Sequence, residues 1–215
     1  QRGRNSVEIN LKKIINVGSV QFDPESGDVD YGTNVTLSCD TIGAQILYKL
    51  DEGDLINSES STVQIKINKD VRITAKAKCG SKVSAEEVAE YIVKYKVQFE
   101  EDGGNLNLTD DITVTSKNSV PLSAINPIKT GYDFKGWYLD SDFDDETKKD
   151  TVSSGDATEG VITLYAKWEA ITYTVVFDLN GGNSFPSEQK QDFTYDVSQN
   201  LKKNEFTRDG YTFVG

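Results

Sequence analysis

The chain has 215 residues, is 36% hydrophobic and 27% charged, carries a net charge of −12 and contains no histidine. That acidity excludes the basic face needed for nucleic acid or an anionic membrane, and no apolar run approaches the ~20 residues that insert across a bilayer. Without histidine the commonest general base and metal ligand are missing, two cysteines are too few for a zinc site, and no cofactor is expected.

The acid is uneven. Residues 96–170 hold seven Lys or Arg against fifteen Asp or Glu, a net of −8, which reads as a solvated acidic surface. No secretory signal opens the sequence, so its start is expected to be processed or internal. Residues 1–16 are basic and polar before turning apolar at Ile14–Val17, and read as a tail or linker leading into a first strand.

From residue 17 to residue 95 the pattern is strand-like. Val35 and Leu37 alternate with polar neighbours, as do Ile46, Tyr48 and Leu50, then Val63, Ile65 and Ile67, then Val71, Ile73, Ala75 and Ala77. Period-two alternation marks strands with one buried face. The separators are turn chemistry: Pro24–Gly27, Tyr31–Gly32, Asp51–Asp54, Asn57–Ser58 and Cys79–Ser81. Short strands at near-regular spacing predict an all-β sandwich.

The residues Phe22-Asp-Pro24, Ser26-Gly27, Gly32, Val35-Thr-Leu37, Gly43–Asp51 and Ile73–Ala77, with a last strand over Ala89–Tyr95, resemble the chitobiase/β-hexosaminidase C-terminal type of fibronectin type III-like domain. The resemblance implies an immunoglobulin/fibronectin-like sandwich that accompanies bacterial secreted enzymes and surface proteins without being their catalytic part. In that topology Cys39 and Cys79 close strands of facing sheets, and a disulfide between them is expected. Its loop of about 40 residues would be worth roughly 3–4 kcal/mol; the alternative is two separate buried thiols.

Tyr91, Val93, Tyr95, Val97 and Phe99 alternate without interruption into the next segment, so a short, stiff junction is expected. A second module follows over 96–169. Val97 and Phe99 predict a strand, Glu100–Gly104 a turn, and Ile112–Val114 a second strand. Pro121–Ile128 predicts a short helix with Ser119 as N-cap and Leu122 and Ile125 three apart, limited by Pro127. Strands over Tyr132–Leu139 and Ile162–Trp168 close the module around an acidic loop, Asp140–Thr158. This β-β-α-β-β order predicts a β-grasp-like unit.

The chain then restarts. Tyr95–Gly104 matches Tyr173–Gly182 at an offset of 78, and Gly131–Gly136 matches Gly210–Gly215 at 79. Two matches in order at nearly one offset identify a tandem repeat, with a partial second copy over 170–215. It stops where the first copy has Trp137, so the sequence is expected to be a piece of a longer chain.

The strand ending at Gly103-Gly104, the Gly131-Tyr-x-Phe-x-Gly-Trp-Tyr138 element and the Leu164-Tyr-Ala-Lys-Trp168 ending resemble the internalin B-type B repeat, also called the Listeria–Bacteroides repeat. The resemblance implies a β-grasp-like module of wall-attached or secreted bacterial surface proteins, extracellular, serving as spacer or in adhesion, with no catalytic site. Taken together, the sequence predicts a mainly β chain: a sandwich followed by repeats in an elongated array. Its expected partners are a host-surface protein or glycan, or a cell-wall polymer. The alternative is an accessory carbohydrate-binding region of a secreted glycoside hydrolase.

The candidate site residues are chiefly structural. Gly131, Tyr132, Phe134, Gly136, Trp137, Tyr138, Tyr165 and Trp168, with Gly210, Tyr211 and Phe213 in the second copy, read as the repeat signature that forms core and turns. The competing reading is an exposed aromatic platform for sugar made by Trp137, Tyr138 and Trp168. Asp140, Asp142 and Asp144 have the acid spacing that starts a calcium loop, but Asp145 and Thr151 stand where an EF-hand needs Gly and Glu. The carboxylates cluster in loops of small modules, so no glycosidase-like acid pair, and no enzyme, is expected.

Overall fold

The computed structural model describes residues 16–183 and 189–215; the expected tail over 1–16 lies, except for Asn16, outside the described residues. The chain divides into two compact units. Unit 1 comprises residues up to Tyr95 with Thr113–Asn118 and Ala157–Gly160; unit 2 comprises Lys96–Ile112, Ser119–Asp156 and Val161–Gly215.

Unit 1 is built from strands, as the alternation predicts. They are β1 (Gln21–Asp23), β2 (Gly27–Asp30), β3 (Thr33–Ser38), β4 (Gln45–Leu50), β5 (Ile56–Asn57), β6 (Thr62–Ile67), β7 (Val71–Cys79), β8 (Lys82–Val83) and the first part of β9 (Glu87–Glu100). One sheet has the order β1-β3-β6. In the other, β7 pairs antiparallel with β4 and with the Glu87–Tyr91 part of β9, and β2 runs parallel to β9. The inward residues Val35, Leu37, Ile46, Ile73, Tyr91 and Val93 are fully buried in one cluster. Burial of such side chains is worth roughly 1.5–3 kcal/mol each.

The expected disulfide is not formed: Cys39 and Cys79 are separate free thiols. Cys39 Sγ donates to the Gly18 carbonyl at 3.3 Å and Cys79 Sγ lies 3.8 Å from the Ile42 carbonyl. Each sulfur is directed at a different backbone group, and Cys39 packs in the core as a small hydrophobe.

The remaining strands are β10 (Thr113–Val114), β11 (Ser119–Pro121), β12 (Tyr132–Tyr138), β13 (Lys148–Lys149), β14 (Thr151–Ser153), β15 (Val161–Ala170), β16 (Thr172–Phe177) and β17 (Gln189–Thr194). In unit 2, β15 lies between β12, antiparallel, and the Lys96–Glu100 part of β9, parallel. The pair β16–β17 forms the hairpin of the second copy.

Among the described residues there is no α-helix, which corrects the β-grasp-like expectation. Pro121 ends a strand: Val120 and Pro121 pair with Val152 and Thr151, and the Leu122 amide bonds the Asp150 carbonyl. Leu122 and Ile125 are both buried, as their three-residue spacing requires, but a single turn closed by the Ile125 amide on the Leu122 carbonyl places them. The Ile125 carbonyl receives the Trp137 indole N–H, and Pro127 disfavours helical backbone at the residue before it.

Candidate functional site

The signature element of the first copy is β12, and its geometry turns on one extra residue. Phe134 stands opposite Trp168 on β15, and Gly136 opposite Lys167, so the register shifts by one between them. Phe134 and Trp137, three apart, would face opposite sides of a regular strand. The bulge at Lys135 returns Trp137 to the face of Phe134. Gly136 permits it with φ +125°, a conformation that L side chains rarely adopt.

The consequence is a stacked aromatic core. Trp137 is edge-on to Phe99 at 4.8 Å and to Phe134 at 5.3 Å, and Phe134 contacts Trp168 at 5.4 Å. Trp137 is buried, and its indole N–H finds the Ile125 carbonyl at 2.6 Å, as a buried indole requires. Tyr138 is buried beside Phe143. Ile162, Leu164 and Ala166 present the matching face of β15, opposite Val97 and Phe99 on β9. Tyr165 lies on the other face, across from Tyr138.

Trp168 locks the first turn. Its indole N–H donates to the Glu101 carbonyl at 2.9 Å, and a Cβ added at Gly104 would fall 2.5 Å from its ring. The Gly-Gly pair is therefore a seat for this tryptophan. Asp102 and Gly103 take left-handed backbone just before it. The aromatics of the complete copy do not form an exposed sugar platform: Trp137 and Tyr138 are interior and Trp168 is committed to the turn.

Tyr132 and Gly131 do something the sequence did not disclose. They face the second copy. The Tyr132 hydroxyl donates to Asp196 Oδ2 at 3.0 Å, and its ring meets Tyr195 edge-on at 5.6 Å. That hydrogen bond is the main reason the Tyr132 phenol pKa lies above its ordinary value. The Lys129 ammonium sits 4.6 Å from the centre of the Tyr132 ring, a cation–π contact. A Cβ at Gly131 would fall 2.3 Å from the Tyr195 ring. The Ile171 amide bonds the Gly131 carbonyl and the Tyr195 amide bonds the Ile171 carbonyl, both at 2.9 Å. Lys129, Tyr195 and Asp196 are thus site residues that sequence reading missed. The repeat offset aligns them with Arg208, Ser116 and Lys117, and that comparison alone gives no sign that they meet Gly131 and Tyr132.

In the second copy Gly210, Tyr211 and Phe213 occupy matching positions. Tyr211 is 68% and Phe213 64% exposed, and with Asp178, Asn180, Phe206 and Arg208 they border an open groove of about 580 Å³.

The acidic candidates resolve into turns. Asp140 Oδ1 accepts the backbone N–H groups of Asp142 at 3.0 Å and Asp144 at 3.4 Å. The Thr147 hydroxyl foremost, and then these amides, hold its carboxyl below the ordinary range against the opposing effect of burial. Among the described residues no group of three or more His, Cys, Asp or Glu, Asp140, Asp142 and Asp144 included, is placed to hold a metal ion. Asp51 takes left-handed backbone and accepts the Arg72 amide at 2.9 Å, as a hairpin turn residue does. Among the described residues the most enclosed ion pair is Lys149–Asp156 at 2.6 Å. Burial pushes the Asp156 carboxyl up, but the Lys149 ammonium and the Ser153 N–H more than offset this and hold its pKa below the ordinary value.

No helix of the described chain is long and apolar enough to cross a membrane. Over 222 aligned residues the chain is 28% identical to a protein named as a Gly-rich membrane protein in Evansella cellulosilytica, covering 99% of this chain and 23% of that protein. It is 33% identical over 123 residues to Internalin H of Listeria monocytogenes, covering 56% of this chain and 20% of that protein. The chain thus spans less than a quarter of the length of these relatives. The family model for the Listeria-Bacteroides repeat domain matches residues 95–167, the copy whose turn, bulge and aromatic stack have just been described, and again 173–215, and the chain belongs to that repeat family.

Proposed function

We propose that the chain is a non-catalytic, repeat-bearing segment of a bacterial cell-surface or secreted protein. It acts as a spacer that holds other domains of that protein away from the cell, and its own partners are weakly held host-surface proteins, glycans or wall polymers. The observation that carries this reading is the use made of the signature residues. In the complete copy they are committed to the core, to the first turn or to the contact with the next copy, which is the economy of a unit built to be repeated. One relative named as a membrane protein and one named as an internalin support a surface setting.

The test is replacement. In the protein that carries this segment, residues 96–215 are exchanged for an unrelated folded spacer of similar length, and display and ligand binding by the remaining domains are measured. Retained binding supports the spacer role. Binding lost although display is intact would show that the repeats themselves hold the ligand. The second reading is an accessory carbohydrate-binding region of a secreted glycoside hydrolase. Specific binding on a glycan array that disappears in Tyr211→Ala would establish it.

A further inference from the structure

The contact between the two copies has a receiving half and a presenting half, and the receiving half occurs twice. In the first copy it consists of Lys129, Gly131 and Tyr132. At an offset of 79 the second copy has Arg208, Gly210 and Tyr211. The backbone is the same: φ is +79° at Gly131 and +77° at Gly210. The cation is in the same place, since the Arg208 guanidinium lies 4.1 Å from the centre of the Tyr211 ring, as Lys129 lies over Tyr132. The preceding turn matches too. Lys129 Nζ reaches the Asp102 carbonyl and Arg208 reaches the Asn180 carbonyl. What differs is occupancy. A Cβ at Gly131 would strike the Tyr195 ring, whereas a Cβ at Gly210 would meet nothing within 4 Å.

The presenting half is the turn after the second strand of a copy. In the second copy it is Thr194–Val197, closed by the Val197 amide on the Thr194 carbonyl, with Asp196 in left-handed backbone. The corresponding turn of the first copy, Thr115–Asn118, is closed in the same way. It carries Ser116 and Lys117 where the second has Tyr195 and Asp196. Within unit 1, the Ser116 hydroxyl bonds the Asp70 carboxylate. Each turn thus carries side chains suited to what it meets: a hydroxyl for a carboxylate, an aromatic and an acid for a cation-backed tyrosine.

We propose that Arg208, Gly210 and Tyr211 form a preorganised docking seat for the aromatic–acid turn of a further copy of this repeat, of the kind that Tyr195 and Asp196 present to the first copy. The occupant is fixed by the existing contact. The bare glycine leaves room for a ring face, the Tyr211 hydroxyl calls for a carboxylate, and the arginine adds positive charge behind the ring. Preformed geometry lowers the ordering cost of docking. The seat does not depend on where the protein is located or on what it displays.

The experiment extends the full chain with its own residues. Residues 137–215 are appended after Gly215, so that Gly215 takes the place of Gly136 and a further Tyr195–Asp196 turn follows Tyr211. Amide exchange is read at the copied Tyr195. Docking should protect that amide, and Gly210→Ala, which fills the seat, should speed its exchange on the order of tenfold or more. Equal rates with and without Gly210→Ala would overturn the proposal. Because alanine also strains the left-handed position, a second arm pairs Tyr211→Phe with Asp→Asn at the copied Asp196. Non-additive effects of the two changes on protection support a direct contact; additive effects refute it. In the 215-residue chain itself, Gly131→Ala should expose the Tyr195 amide. A Tyr195 amide unaffected by that change would remove the precedent and the proposal with it.

Discussion

The complete copy over 95–167 and the second copy over 173–215 are the same sequence pattern in two degrees of completion. Their local geometry is nearly identical. Asp102 and Asn180 take left-handed backbone, Gly103 and Gly181 follow at φ +77° and +75°, and the bridge Asn105–Ile128 recurs as Asn183–Thr207. Their burial is not. Val97 is 4% exposed and its counterpart Val175 is 41%. Phe134 is half-buried between two tryptophans, while Phe213 is largely in solvent. Turns and bridges are set by residues a few positions apart and form without the rest of the module. The core needs β15, which supplies Ile162, Leu164, Ala166 and Trp168 and stands between the other two strands. Shape in this repeat is local, whereas burial of Val97, Phe134 and Trp137 in the first copy depends on packing against β15.

The comparison breaks most completely at Trp137. Trp137→Ala should cost the complete copy about 3–5 kcal/mol, as large-to-small changes of buried aromatics do. It should leave unit 1 folded, so denaturation followed by a unit 2 probe shifts while a unit 1 probe does not. Gly136→Ala tests the bulge: with φ at +125°, strain of about 1–3 kcal/mol is expected, again confined to unit 2.

The Lys149–Asp156 pair sharpens the contrast through pH. The folded-state pKa of Asp156 lies below its ordinary 3.8, so the stability it contributes is present above that value and is lost as pH falls through the lowered pKa. Asp156→Asn should remove about 1–2 kcal/mol at neutral pH and flatten the acid limb of unit 2, measured by denaturant midpoints between pH 6 and 3. The smallest effect belongs to the second copy. Phe213→Ala should change stability by less than about 0.5 kcal/mol, as at an ordinary surface position. A larger loss would mean that Phe213 is buried in solution and that the two copies differ less than their structures indicate.

Much of this was legible in the residues. Alternation located β3, β4, β6 and β7, the tandem offset located the copies, and the three motifs located the family. The bulge was not read, although a glycine inside a strand of alternating residues was its signal. The helix expected over Pro121–Ile128 is a single turn in the structure, because buried residues three apart fit a turn as well as a helix. The expected disulfide is absent because the two sulfurs are directed at different backbone carbonyls, those of Gly18 and Ile42.

The repeat, the mainly β character and the turn-building residues follow from the residues alone, since they depend on period-two patterning and on glycine at left-handed positions. Which aromatics are core and which are contact surface follows from packing. Trp137 and Tyr132 look alike in the signature. One is turned inward by a bulge onto the Ile125 carbonyl, and the other meets a tyrosine and an aspartate 63 and 64 residues further along the chain. No local pattern encodes a contact between segments that far apart; packing selects it.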